Sequence, residues 1–255
     1  MSSDVAPAGR DLSRLDVRAV LCDADGNLFP SEEPAFEASA GVTNAFLGSI
    51  GITADFTGEE LRIATTGKSF RTTATDLAAA GGVEVDPAVL ERWVEEERRV
   101  VTAHLGRVLR PDPDVLEPLR HLQARYVLAA VSSSASARLG VCFVATGLDD
   151  LIPEDRRYSA EDSLAVPTSK PDPAIYRHAG ERLGLAPEQA VAVEDSAVGA
   201  TAAVAAGIPT VGNLQFVQPA ERSQREAELR AVGVDAIITR WSELASLLGA
   251  PVPLA

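Results

Sequence analysis

The chain has 255 residues and is short of several things, and each shortage closes a route. Its two cysteines, Cys22 and Cys142, are too few for a disulfide framework and do not have metal-ligand spacing. Aromatic residues make up only 5%, so the core must be built from small aliphatic side chains. No apolar run is long enough to cross a bilayer, and Met1 to Asp16 lack the basic and apolar blocks of a signal peptide. The expectation is a cytoplasmic protein with no membrane partner. Positive charge is scarce: 23 Lys and Arg face 37 Asp and Glu, a formal net charge of -14. A nucleic-acid partner needs a basic footprint, so none is expected. A small anionic ligand remains compatible with a local positive site. Lysine is scarcest of all, since every basic residue except Lys68 and Lys170 is arginine. A compact ammonium is not interchangeable with a planar guanidinium. Where arginine is otherwise the rule, both lysines become candidates for a role.

What is present begins with 46% hydrophobic residues, enough for one large core or two smaller ones. Val17 to Cys22 reads as a buried strand that runs into acidic residues and glycine. Helical patterns follow over Ser31 to Ile50, after Thr57 to Glu60 (a capping-box spacing), over Lys68 to Ala80, and from Asp86-Pro87 onward. Residues 31–109 thus read as an all-helical domain closed by the stiff Arg110-Pro111-Asp112-Pro113. Beyond it, apolar strands (Tyr126 to Val131, Tyr158-Ser159, Ala190 to Val193, Ile208 to Val211, Ala236 to Ile238) alternate with helices. Such alternation predicts an α/β domain with a parallel, doubly wound sheet over 17–30 and 110–255. Residues 1–16 read as a flexible tail.

Four polar features follow strand ends or open helices: Asp23-Ala24-Asp25-Gly26, Ser132-Ser133-Ser134, Ser169-Lys170-Pro171 and Glu194-Asp195-Ser196. Ligands of open α/β sheets bind beyond the C-terminal strand ends. Asp23 and Asp25 flank a single residue and repel each other unless a cation or a proton is shared. Magnesium is suited to that place, because it prefers carboxylate oxygens together with phosphate oxygens. Gly26 permits a tight turn whose amides can face an anion. Taken singly, each feature reads more readily as a turn, a helix cap or a solvated side chain. Their occurrence together, in order and at the right places, points to a site.

These four stretches resemble the motifs of the haloacid dehalogenase-like (HAD) hydrolase superfamily, in its phosphatase and β-phosphoglucomutase-like group. The first is Asp23-Ala24-Asp25-Gly26-Asn27-Leu28, and the second ends in V-S-S-S with Ser132 the best match. The third is S-K-P-D-P-A-I-Y over Ser169 to Tyr176, and the fourth runs from Val193 to Gly207. The chain departs from the family pattern at Asn27, where Thr or Val is usual, and at Pro30. The resemblance implies a Rossmann-like sheet with the fifth and fourth strands beside the first, then the second and third. It also implies that residues 31–109 form an α-helical cap over the substrate.

It further implies magnesium-dependent hydrolysis of a small phosphate monoester. Asp23 would be the nucleophile and Asp25 the acid and base. Asp23, the Asp25 carbonyl and Asp195 would hold Mg2+, with Glu194 reaching it through water. Lys170, Ser132, Ser133 and Gly26 would hold the phosphoryl group, and Lys68 and Arg71 in the cap would read the leaving group. The expected partner is a small phosphorylated metabolite, and the protein is expected to be a monomer or homodimer. A sugar-phosphate mutase would use the same residues. A 2-haloacid dehalogenase is disfavoured because Asp25 is present. A non-catalytic binding protein is disfavoured because no motif residue is missing.

Overall fold

The computed structural model describes residues 9–65 and 68–249. The expected tail at 1–16 lies outside the described residues over 1–8. Contacts with the α/β unit begin at Arg10. Arg10 makes a two-pronged contact with Asp235, Asp11 caps a short 3-10 turn over Leu12–Arg14, and Leu12 is buried. A single buried leucine and one paired arginine are weak signals in a sequence, and here they tie the segment to the sheet's last strand region.

The chain divides into two compact units, Pro30–Leu109 and the segments on either side of it. The larger unit holds a six-stranded, wholly parallel sheet in the order β3-β2-β1-β4-β5-β6. Its strands are β1 (Ala19–Cys22), β2 (Val127–Ser132), β3 (Arg157–Ser159), β4 (Ala190–Glu194), β5 (Thr210–Asn213) and β6 (Ala236–Ile238). The strand order implied by the resemblance is the one observed. Parallel strands covered on both faces read as continuous apolar runs rather than alternating ones. β1 and β4 obey this, with every residue buried.

Alternate residues of the central strands (Ala19 and Leu21, Ala129 and Val131, Ala190 and Ala192) pack in one layer with α7 (Ala174–Leu183) and α8 (Ala197–Ala205). The alanines expected from the aromatic-poor composition do their work here. Ala200, Ala202 and Ala203 are fully buried on α8. α5 (Pro113–Gln123), α6 (Ser136–Thr146), α9 (Arg222–Val232) and α10 (Ser242–Leu247) complete the unit. β5 starts two residues later than the apolar run at Ile208, because Pro209 has no N–H to give to the ladder.

The smaller unit is helical: α1 (Glu32–Ser49), α2 (Gly58–Thr65), α3 (Phe70–Ala80) and α4 (Pro87–Val108). Phe46 on α1 packs edge-on against Phe70 and Trp93, with ring centroids 6.3 and 6.0 Å away. Leu47, Ala74 and Ala78 fill the remaining space. The capping box at the start of α2 is reciprocal: Thr57 Oγ1 accepts from the Glu60 amide, and Glu60 Oε2 accepts from the Thr57 amide. Asp86 caps α4 by accepting from two amides, with Pro87 at the first helical position. α3 begins at Phe70 rather than Lys68, because Ser69 takes the cap by accepting from the Thr72 amide. Among the described residues no helix is long and apolar enough to cross a membrane.

Candidate active site

The parallel sheet sets the ends of β1, β2 and β4 side by side, and the polar residues of the sequence motifs follow those ends. The Asp23 amide continues the β1–β4 pairing by donating to the Val193 carbonyl at 3.0 Å. Gly26 turns the chain with φ +77°, and a Cβ there would come within 2.5 Å of Asp195 Oδ2. Glycine is therefore required twice at that position, for conformation and for space. Asn27, which departs from the family pattern, is fully buried. Its Nδ2 donates to the carbonyls of both Asp23 and Val193 at 2.9 Å, and its Oδ1 accepts from Asn213 Nδ2. One amide thus holds the β1 and β4 ends together.

Lys170 occupies the centre of the site and its side chain is 5% exposed. Its Nζ donates to Asp23 Oδ1 (2.5 Å), Glu194 Oε1 (2.6 Å) and the Val131 carbonyl (2.8 Å), which uses all three ammonium protons. Burial alone would lower the ammonium's proton affinity, but Asp23 and Glu194 more than reverse this, so it stays charged. The Asp23 carboxyl is pushed up by burial, pulled down by Lys170, and pushed up again by Glu194 and Asp195.

Asp23, Glu194 and Asp195 offer ligand oxygens that all lie within 4.8 Å of one another. Three buried carboxylates face one buried ammonium, and a divalent cation closes that imbalance. Glu194 Oε2 is buried with no hydrogen-bond partner among the described residues. The donor set, oxygen only, suits a hard cation. The residues therefore fit a divalent metal.

Asp25 stands two residues beyond Asp23. Ser134 Oγ donates to its Oδ2 at 2.7 Å and Arg138 Nη2 to its Oδ1 at 2.9 Å. Ser132 is buried and its Oγ accepts from the Ser134 amide. Ser133 Oγ accepts from the Lys170 amide at 3.2 Å. The structure thus brings Asp23, Lys170, Glu194 and Asp195 into one cluster, with Ser132 and Ser133 on the adjoining strand end. Lys68 and Arg71 belong to the helical unit, where they pair with Asp76 and Glu91. Thr66 and Gly67, which precede Lys68 in the expected substrate-reading segment, lie outside the described residues.

Several participants were not singled out from the sequence. Ser134 lies in the serine run and Tyr176 at the end of the lysine motif. Arg138 is on α6 beyond the second motif. Arg225 on α9 donates from Nη1 to the Asp195 carbonyl at 2.8 Å, with Asp195 Oδ2 3.7 Å away. No spacing rule marks either arginine among so many.

A model of the haloacid dehalogenase-like hydrolases matches residues 17–207. The protein CbbY of Cereibacter sphaeroides is 31% identical over 245 residues, covering 91% of this chain and 96% of that protein. A phosphorylated carbohydrates phosphatase of Thermotoga maritima is 28% identical, covering 76% of this chain and 84% of that one. A shorter match, to a CbbY-like protein of Arabidopsis thaliana, spans 14% of that protein's length. A crystal structure of a family hydrolase from Deinococcus radiodurans, with bound phosphate and sodium, superposes with a TM-score of 0.65 at 27% identity. That superposition covers 93% of this chain and all of that one. The chain belongs to the haloacid dehalogenase-like hydrolases, in the group of the phosphatases and β-phosphoglucomutase-like proteins.

Proposed function

We propose that the protein hydrolyses a small phosphorylated metabolite, of the sugar-phosphate kind, through a phosphoryl group carried on Asp23. The observation that supports this best is the buried Asp23–Lys170–Glu194–Asp195 cluster at the ends of two adjacent central strands. The name of the Thermotoga maritima relative supports the substrate class.

Asp23 attacks phosphorus; a bond forms to its carboxylate oxygen and the bond to the leaving oxygen breaks. Asp25 gives its proton to that leaving oxygen. It then takes a proton from the water that attacks the aspartyl-phosphate, so phosphate departs and Asp23 is regenerated. Ser134 and Arg138 hold the Asp25 carboxylate by both oxygens, which fixes its direction. The Lys170 charge offsets the repulsion between Asp23 and the incoming anion. Ser132 and Ser133 offer hydroxyl donors to the phosphoryl oxygens, whereas the Gly26 amide, expected to face the anion, donates to the Phe29 carbonyl and serves the turn. Asp23, the Asp25 carbonyl, Asp195 and, through water, Glu194 would hold Mg2+. When bound, the ion supplies positive charge that draws phosphate and carboxylate together. In this reading Lys68 and Arg71 read the leaving group.

The test is hydrolysis of an aryl phosphate with and without Mg2+. Release should require the ion and vanish in Asp23→Asn. Full activity in that variant, or with a chelator present, would sink the reading.

A further inference from the structure

Tyr176 closes the S-K-P-D-P-A-I-Y stretch, and the proposed reaction gives it no task. Its side chain is fully buried beneath the site. The hydroxyl donates to Glu194 Oε1 at 2.5 Å, the same oxygen that receives Lys170. The ring lies under the Lys170 ammonium, with Nζ 5.2 Å from the centroid, close enough for a cation–π contact. A phenylalanine would fill this volume equally well, so a hydroxyl placed here against a buried carboxylate does more than pack. Burial first, and then the charges of Glu194 and Asp23, keep the phenol well above its usual pKa, so it remains a donor.

The two oxygens of Glu194 are treated differently. Oε1 takes both donors. Oε2 lies against the first turn of α8, where a Cβ on Gly199 would stand 1.9 Å from it, and it has no partner among the described residues. That Cβ would also come within 2.5 Å of Oε1, so glycine at 199 is what leaves room for the whole carboxylate. The positive end of the α8 backbone favours the charge there.

We propose that Tyr176 is a positioning residue: it commits one Glu194 oxygen to the protein and leaves the other, which takes no donor among the described residues, for a divalent cation or its water. This rests on the metal-dependent reading above, and the test is chosen to separate the two. Groups that orient ligating carboxylates without touching the metal typically contribute about 10- to 100-fold in metal affinity.

Mg2+ is titrated calorimetrically into wild-type protein, Tyr176→Phe and Gly199→Ala, with no substrate present. Tyr176→Phe should weaken Mg2+ binding by about 10- to 100-fold. The Mg2+ concentration for half-maximal aryl phosphate hydrolysis should rise by the same factor. At saturating Mg2+ the KM for the aryl phosphate should stay within about twofold of wild type. Gly199→Ala, which presses on the same carboxylate as a whole, should also weaken Mg2+ binding. Unchanged Mg2+ affinity in Tyr176→Phe, whatever happens to its melting temperature, overturns the inference and makes the residue core packing alone. A wild-type protein that binds Mg2+ yet hydrolyses no phosphate overturns the phosphatase reading, while the calorimetry still decides the role of Tyr176.

Discussion

The two lysines of this chain stand in opposite surroundings. Lys170, in the α/β unit, has a buried side chain and gives all three protons to buried acceptors. Lys68, in the helical unit, is 45% exposed and pairs with Asp76, itself 53% exposed, at 2.7 Å. The same residue type is a fixed element of a network in one place and a solvated charge in the other. A buried charge whose partner is removed leaves an uncompensated ion, costing about 3–5 kcal/mol. An exposed pair is screened and contributes about 0–1 kcal/mol. Lys170 thus cannot change without consequence for the network around it, whereas Lys68 can change at little cost to stability.

The comparison breaks or holds on a graded series of substitutions. Lys170→Met has the largest expected effect. It should reduce aryl phosphate turnover by about a thousandfold or more, because the positive charge beside the nucleophile is lost. It should also lower the melting temperature, since Asp23 and Glu194 lose their shared partner. Lys170→Arg should not restore activity, because a planar fork cannot reproduce three convergent bonds from one nitrogen. Next comes Arg138→Met. It removes the donor to Asp25 Oδ1 and should lower kcat by about 10- to 100-fold, since small misplacement of a proton-transfer group is costly. The smallest effect belongs to Lys68→Ala. Stability by chemical denaturation should change by less than about 0.5 kcal/mol. Turnover of a simple aryl phosphate should be almost unaffected, while KM for a sugar phosphate rises several-fold. A fall in stability equal to that of Lys170→Met would erase the contrast between the two lysines.

Much of this arrangement was legible from the sequence. Strand β1 and the residues after it follow from an apolar run that stops at Asp23. The sheet class follows from the alternation of such runs with helices after Arg110. The capping box at Thr57 and the Asp86-Pro87 start of α4 were readable because local hydrogen bonds obey fixed spacings. Contacts across long separations left no such trace. Arg138 meets Asp25 over 113 residues, and Arg225 meets the Asp195 carbonyl over 30, with nothing to mark them among the other arginines. Asn27 stood out as a departure from a pattern, but its task was not visible there. Only the fold shows that its amide joins the carbonyls of Asp23 and Val193, 166 residues apart from Asn27 in the second case. The pairing of Arg10 with Asp235, 225 residues away, leaves no more trace in the sequence than the contacts of Arg138 and Arg225.

The central claim is that Asp23 carries the phosphoryl group between two displacements. The stereochemical course at phosphorus tests it most directly, using an isotopically chiral phosphorothioate monoester hydrolysed in labelled water. Two successive in-line displacements give net retention of configuration, which is the expected result. Net inversion would mean that water attacks the substrate directly, and would contradict the assignment of Asp23 as nucleophile.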